Sequence, residues 1–567
     1  SASNKAGGHI VEIEGYHLPE EAVEALKQHD EAWAAVSVGL HAAVGSPEVR
    51  YSREDVPQVE EVREWTGAAW RGERVAAQLL LWTAQGARQV RVRVSRLCSE
   101  QGQELPASAL RVNFVRYVLA DGRLVADILD TAERLDLAPR SVRPLWVSLE
   151  PPADARPGRY QGRVEVLAEG LREPIVFDLT VDVLAARVPP PEQWEFWLDL
   201  WQNPYALARY HHVRPWSAEH RALLEPHLRM LAAAGQKCIT TSIVYQPWGT
   251  QTYDPYDSMV QWVRRGDGSW HFDYTAFDDY VELALRCGIT GAINCYSMVP
   301  WTNRYRYLDE ATGDYVYVHA APGSGEYEKL WRAFLPDFEA HLRSRGWLGK
   351  TAIAMDERPP ELMKPMLALL REVAPELKVA LAGSNEPRLK DDIDDWCVFI
   401  SPPLDPAIAR ERVASGKPTT FYVCCGPARP NTFTFSPPAE AEWLGVYAAA
   451  QGYSGFLRWA YDSWVRDPLH DTSYVTWPAG DCFLVYPGSR SSIRFERLRQ
   501  GIEDYEKIRA VRQALEGRGD EKAREGLKKL DKALAEFTYG YVQHHPAAES
   551  VAKVRRLLVE LGRELGE

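Results

Sequence analysis

From about residue 30 to 188 the apolar positions fall into short β-rich runs, at 75–82, 89–95, 109–119, 145–149, 160–167 and 174–184. Asp121-Gly122, Pro157-Gly158 and Glu169-Gly170 separate them, residue pairs that suit tight turns. The pattern predicts an N-terminal antiparallel β-sandwich over residues 1–188. Arg187-Val188-Pro189-Pro190-Pro191 then fixes three φ angles and removes three amide donors, so regular structure stops in a stiff linker.

Beyond the linker the rhythm becomes strand, then amphipathic helix. Strand candidates occupy 194–201, 237–245, 290–298, 350–357, 378–382, 396–401, 419–425 and 455–464. Stretches with helical periodicity lie between them, at 218–234, 277–287, 326–345, 361–373, 406–415 and 439–451, and 491–516 supplies a last helix. Eight such units predict a (β/α)8 TIM barrel over 192–516. A doubly wound open sheet is the alternative, but no glycine-rich phosphate turn follows the first strand. Residues 517–567 read as a charged C-terminal helical segment.

The chain carries 66 Lys and Arg against 79 Asp and Glu, a net charge of −13, with no basic stripe. That argues against a nucleic-acid partner. No apolar run approaches the roughly 20 residues of a membrane span. Residues Ser1 to Gly8 hold no apolar signal core, which leaves secretion open. Eight cysteines without CxxC spacing point to free thiols in a reducing, cytoplasmic compartment. The 20 Trp and 26 Tyr favour sugar binding, because a pyranose packs its C–H face on an aromatic ring; core packing is the competing use.

In a barrel of this kind reacting groups sit at the C-terminal ends of strands. Those ends deliver Trp197, Asp199, Trp201 and Asn203; Asn294 and Tyr296; Asp356 and Glu357; Tyr422; and Trp459, Tyr461, Asp462 and Trp464. The set is aromatic, carboxylate and amide, so it suggests a sugar pocket, and no metal or other cofactor is expected. His211-His212 lacks further ligands at metal spacing. Asp356-Glu357 ends the apolar run Thr351 to Met355 and precedes Pro359-Pro360. Neighbouring side chains on a strand face opposite ways, so both acids reach one ligand only if the chain bends there. A solvated or helix-capping acid pair is the alternative. Retaining glycosidases commonly need a second carboxylate about 5 Å across the anomeric carbon. The seventh strand, 419–425, holds no acid. That absence favours a substrate-assisted route, in which a 2-acetamido oxygen attacks its own anomeric carbon.

These residues, with Gly455-Phe-Leu-Arg-Trp-Ala-Tyr-Asp-Ser-Trp464, the segment from Asp481 to Gly488 that includes Tyr486, the helix from Ser492 to Glu506, and the run from Arg71 to Gln78, resemble glycoside hydrolase family 123. The resemblance covers most of the chain. It implies an exo-acting β-N-acetylgalactosaminidase acting on glycans or glycoconjugates with terminal β-GalNAc. Glu357 matches the family's general acid/base and Asp356 its acetamido-orienting residue. The adjacent acids are also similar to those of family 20 hexosaminidases, but Ala354-Met355 stands where that family has its His and Gly-Gly context.

The remaining substrate-binding candidates keep competing readings. Trp459 floors the sugar site, lines the acetamido methyl, or is barrel core. Tyr296 or Tyr422 donates to the acetamido oxygen, or is a buried phenol satisfied elsewhere. Asp199 and Asp462 bind hydroxyls or cap helices. Trp301, Tyr305 and Tyr307, in the insert 299–324, are candidates for the leaving-group side. Two other functions stay open: a glycosidase with Asp462 or Asp199 as partner acid, and a carbohydrate-binding scaffold that releases no sugar.

Overall fold

The computed structural model describes residues 10–13 and 16–565; Ser1 to Gly8 lie outside them. The chain divides into two compact units, one ending at Val183 and one that starts at Leu184 and also takes Trp70–Glu73 and Val118–Arg123.

The first unit is built on two antiparallel sheets. One runs Leu40–Gly45, Val75–Thr83, Ser141–Leu149, Leu110–Ala120, Arg123–Leu129. The other runs Arg134–Leu137, Ala87–Val94, Gly158–Leu167, Ile175–Arg187, Glu64–Arg71, with Cys98–Ser99 on the side of Gly158–Leu167. Ala77, Leu79 and Leu81 alternate into the core that also holds Val164, Phe177 and Leu179. Leu80 and Trp82 point the other way and are covered by Trp33 of the helix Glu20–Ala34. Burial on both faces explains why this strand reads as a continuous apolar run rather than an alternating one.

In the second unit eight parallel strands form the barrel: β1 (Trp197–Leu200), β2 (Cys238–Ser242), β3 (Ala292–Tyr296), β4 (Thr351–Met355), β5 (Lys378–Gly383), β6 (Asp395–Phe399), β7 (Thr419–Tyr422) and β8 (Gly455–Arg458). The sheet order is β1-β8-β7-β6-β5-β4-β3-β2. Its seam, between β1 and β2, is a near-closure sewn by two amide side chains. Gln236 accepts from Leu200 N at 2.9 Å, and Gln202 accepts from Thr240 N at 2.9 Å. Only a single backbone bridge, Leu198 with Gln236, joins the two edges directly.

Helices α1 (Ala218–Ala232), α2 (Thr275–Arg286), α3 (Gly325–Arg345), α4 (Pro360–Val373), α5 (Pro406–Ala414), α6 (Pro438–Gln451) and α7 (Ile493–Arg518) follow their strands. A short 3-10 turn, Pro387–Leu389, replaces the helix between β5 and β6. Ser217, Ser324 and Ser492 cap α1, α3 and α7 by accepting a backbone N–H, which sets where each helix begins. Helices α6 and α7 cross where Gly445 meets Gly501: a Cβ on Gly445 would stand 2.2 Å from the Gly501 carbonyl carbon. No other residue type allows that approach. The helices Glu521–Leu534 and Ala547–Glu564 pack on α6 and α7.

The connections after β2 and β3 carry an additional four-stranded sheet, in the order Trp270–Asp273, Gln261–Arg264, Arg304–Asp309, Tyr315–His319. Trp301 N donates to Pro247 O at 2.9 Å and ties the two connections together at their roots. That tie fixes the backbone of Trp301 beside that of Trp248, one residue beyond Pro247.

Candidate active site

A cavity of about 160 Å³ opens at the C-terminal mouth of the barrel. Every strand end except that of β6 contributes to its lining: Trp201 after β1, Trp248 and Gln251 after β2, Trp301 after β3, Asp356 and Glu357 after β4, Ala382 on β5, Tyr422 with Cys424 and Cys425 at β7, Leu457 on β8 and Trp459 after it. Trp477, from the long segment between β8 and α7, completes the wall. The surface is aromatic, and its only carboxylates among the described residues are Asp356 and Glu357.

The chain bends directly after β4: Arg358 N donates to Asp356 O at 2.6 Å. The bend turns two consecutive side chains into one cavity, which a straight strand forbids. Gly383 at the end of β5 makes room for it. A Cβ there would lie 3.2 Å from the Glu357 Cα and 3.3 Å from the Asp356 carbonyl.

The two acids differ in environment. Asp356 is buried and Glu357 exposed. Asp356 accepts from the Trp248 indole N–H at 3.2 Å on one oxygen and from the Trp301 indole N–H at 2.8 Å on the other. Trp248 is held by rings on three sides, stacked on Trp201 at 4.8 Å and packed against Tyr296 and Tyr256 at 4.7 Å each. Burial pushes the Asp356 carboxyl up to about 7 and the Glu357 charge adds to the rise, while the two indole donors oppose it. The Tyr422 hydroxyl donates to Glu357. Burial, reinforced by the Glu357 charge, raises the Tyr422 phenol far above its ordinary value, so Tyr422 remains a donor at any working pH.

Of the residues singled out from the sequence, Trp201, Trp301, Asp356, Glu357, Tyr422 and Trp459 line this cavity. Trp459 stands edge-to-face against Trp477 at 5.5 Å. Trp197, Asp199 and Asn294 lie lower in the barrel. On a strand each step of two residues descends by about 7 Å, so of this inward-facing row only Trp201, directly after β1, reaches the mouth. Asn294 Nδ2 meets Asp199 Oδ2 at 3.5 Å in that interior. Asp199, Cys238 and Asp395 bring one ligand-type atom each to within 4.8 Å there. Burial and the mutual charge push Asp199 up to about 8, and burial pushes Asp395 up to about 7. Both carboxyls of this interior pair therefore hold their protons to higher pH than a solvated aspartate does.

Tyr296 is buried against Trp201 and Trp248 and supports them from outside the lining. Strand β8 stops at Arg458, and the chain beyond it is irregular and largely buried. Asp462 there accepts from Asn203 N at 2.7 Å and pairs with His227 Nε2 at 2.9 Å. Trp464 donates to Val485 O at 2.9 Å, and the Tyr486 hydroxyl accepts from Arg494 at 3.4 Å. These three organise the loop rather than the cavity surface. In the insert, Trp301 reaches the cavity; Tyr305 is buried and accepts from Trp331 at 3.2 Å, and Tyr307 packs on Trp270 at 5.1 Å. Sequence reading passed over Trp248, Gln251, Trp477 and the two cysteines. Trp248 alone carried a usable signal, a tryptophan in a Pro-Trp-Gly turn directly after a barrel strand.

The model of the glycoside hydrolase 123 catalytic domain matches residues 201–511, and that of the glycoside hydrolase 123 N-terminal domain matches residues 44–168. The chain belongs to glycoside hydrolase family 123. It is similar to the structure of a family 123 glycoside hydrolase from Clostridium perfringens, described for glycolipid glycan hydrolysis. The two are 26% identical with a TM-score of 0.84 over 93% of this chain and 99% of that one. A β-glucuronidase 3 from Bacteroides uniformis aligns at 10% identity over 82% of this chain and 51% of its own, with a TM-score of only 0.29. No curated protein matches the chain. Among the described residues no helix is long and apolar enough to cross a membrane.

The Trp301 indole lowers the Asp356 pKa, so removing it has a definite sign. In this family 123 glycosidase, Trp301→Phe should raise that pKa further above about 7. If Asp356 works ionised, kcat/KM of the wild type falls as pH drops below about 7, and in the variant the fall begins at higher pH. A pH–rate profile of both proteins checks this; an unshifted acidic limb contradicts an ionised role for Asp356.

Proposed function

We propose that this chain is an exo-acting β-N-acetylgalactosaminidase that cleaves with retention by substrate assistance. The observation that supports this most is the cavity's pair of carboxylates. They are neighbours in sequence at the end of one strand, and among the described residues no third lining acid faces them across the cavity. A pair so placed is ill suited to flank an anomeric carbon as acid and nucleophile, the arrangement of ordinary retaining enzymes. It suits a substrate that brings its own nucleophile.

In this mechanism Glu357 acts as general acid and gives a proton to the glycosidic oxygen as the bond to the anomeric carbon breaks. The 2-acetamido oxygen attacks that carbon and closes an oxazolinium ring. Asp356 accepts the acetamido N–H and stabilises the positive charge growing there. Glu357, now a carboxylate, takes a proton from the water that opens the ring. Tyr422 holds the Glu357 carboxyl in place through both steps. Trp248 and Trp301 each occupy only one acceptor position per Asp356 oxygen, which leaves lone pairs for the substrate. The aromatic walls favour a pyranose face. The Clostridium perfringens relative supports a glycolipid or similar glycoconjugate as the natural substrate.

Hydrolysis of paired aryl β-GalNAc, β-GlcNAc and β-galactoside substrates tests the reading. Cleavage of the β-GalNAc substrate above both others is expected. Preferred cleavage of the galactoside, which lacks the acetamido group, would remove substrate assistance. Binding without release of any sugar would leave only a carbohydrate-binding role.

A further inference from the structure

Cys424 and Cys425 follow β7 and line the same cavity as Glu357 and Tyr422, yet no step of the proposed chemistry uses either. Both are free thiols in contrasting settings, Cys424 half-buried and Cys425 exposed. Burial pushes the Cys424 thiol up to about 12, so it stays protonated and unreactive near neutrality. Cys425 is the accessible sulfur of the pair. Among the described residues one other cysteine is exposed, Cys98, which belongs to the N-terminal unit and does not line the cavity. The remaining five are buried.

We propose that Cys425 is a covalent modification site for small disulfides, and that a group attached there closes the cavity to the sugar. The Cys425 thiol loses its proton to solvent and its sulfur attacks one sulfur of the reagent. A new S–S bond forms at Cys425 and the reagent's own S–S bond breaks. The other half departs as a thiolate with the bonding electrons and is protonated by solvent. Cys425 is oxidised to the mixed disulfide as that half is reduced. A reducing dithiol reverses the exchange. Because Cys425 lines the same wall-enclosed space as Asp356, Glu357 and Tyr422, a ring-sized adduct on its sulfur takes room that a pyranose seated on those acids needs. The inference rests on this cavity being where the glycoside is cleaved, but not on which sugar it is.

The probe is 2,2′-dithiodipyridine on the full chain. Released 2-thiopyridone counts the exchange, peptide mapping locates it, and hydrolysis is followed on whichever aryl glycoside the untreated protein cleaves best. Labelling is expected at Cys425 and Cys98. The rate should fall roughly tenfold or more in step with Cys425 labelling and return with dithiothreitol. In Cys98→Ser the loss should be the same, and in Cys425→Ser the treated-to-untreated ratio should stay near one. Should Cys425→Ser not fold, Cys98→Ser decides alone, because Cys425 is then its one exposed thiol. Labelled Cys425 with retained activity, no labelling of Cys425, or equal inactivation of Cys425→Ser would overturn the proposal. Failure of the GalNAc assignment shows in the untreated protein's substrate preference and leaves this test readable.

Discussion

Asp356→Asn is expected to lower kcat by about 10²–10³-fold while KM changes only modestly, the scale seen when one preorganised electrostatic partner of a transition state is removed. The acetamido nitrogen is neutral in the bound substrate and gains positive charge as its oxygen attacks. A carboxylate therefore gains more from the transition state than from the ground state, and the loss belongs in kcat. The buried setting of Asp356 enlarges the effect, because little solvent screens the interaction. Asparagine also turns a donor toward one of the two indole N–H groups that now meet carboxylate oxygens, so it is a poor mimic in shape as well as charge. Steady-state kinetics on an aryl β-GalNAc substrate separates the two parameters. A change confined to KM would reduce Asp356 to a binding residue.

Glu357→Gln is expected to slow substrates with poor leaving groups by about 10²–10⁴-fold, the usual range for loss of a general acid. Aryl leaving groups of low pKa need little protonation and should suffer much less. The Tyr422 hydroxyl can still donate to the glutamine carbonyl, so the side chain keeps its position and the loss reports chemistry rather than collapse. Rates across an aryl series of graded leaving-group pKa measure this directly. Equal losses along the series would remove the acid role.

Much of the barrel was legible in sequence, because β1 to β8 are short runs rich in apolar and β-branched residues, separated by turns and mostly by amphipathic helices. Strand ends were less so. The apolar stretch from Gly455 to Trp464 reads as one strand, yet pairing stops at Arg458 and Trp459 to Trp464 stay irregular. Hydrophobicity reports burial, and buried irregular chain looks like strand. The opposite error threatens α7, whose Arg and Glu residues suggest a solvated face. They are buried because they pair, Arg497 with Glu442 at 3.0 Å and Arg499 with Glu503 at 3.0 Å. The helix Glu20–Ala34 and the four-stranded sheet beyond β2 and β3 were not anticipated; the strands of that sheet are four to six residues long and mix polar with aromatic positions.

For the site, the rule that reacting groups sit at strand ends singled out Asp356, Glu357, Tyr422 and Trp459, all of which line the cavity. It overreached with Asp199 and Asn294, because a strand presents several inward residues and depth along the barrel axis is not written in the pattern. It passed over Trp477, which reaches the cavity from a loop with no periodicity. There its indole donates to Gln251 O at 2.9 Å, a partner more than 200 positions earlier in the chain.

In the proposed mechanism the substrate's own acetamido oxygen is the nucleophile. Replacing the acetyl methyl hydrogens of an aryl β-GalNAc one by one with fluorine leaves the ring and leaving group unchanged but drains electron density from that oxygen. Substrate assistance predicts that kcat/KM falls steeply with each fluorine. A kcat/KM that stays level across the series would contradict it and require an enzymic nucleophile.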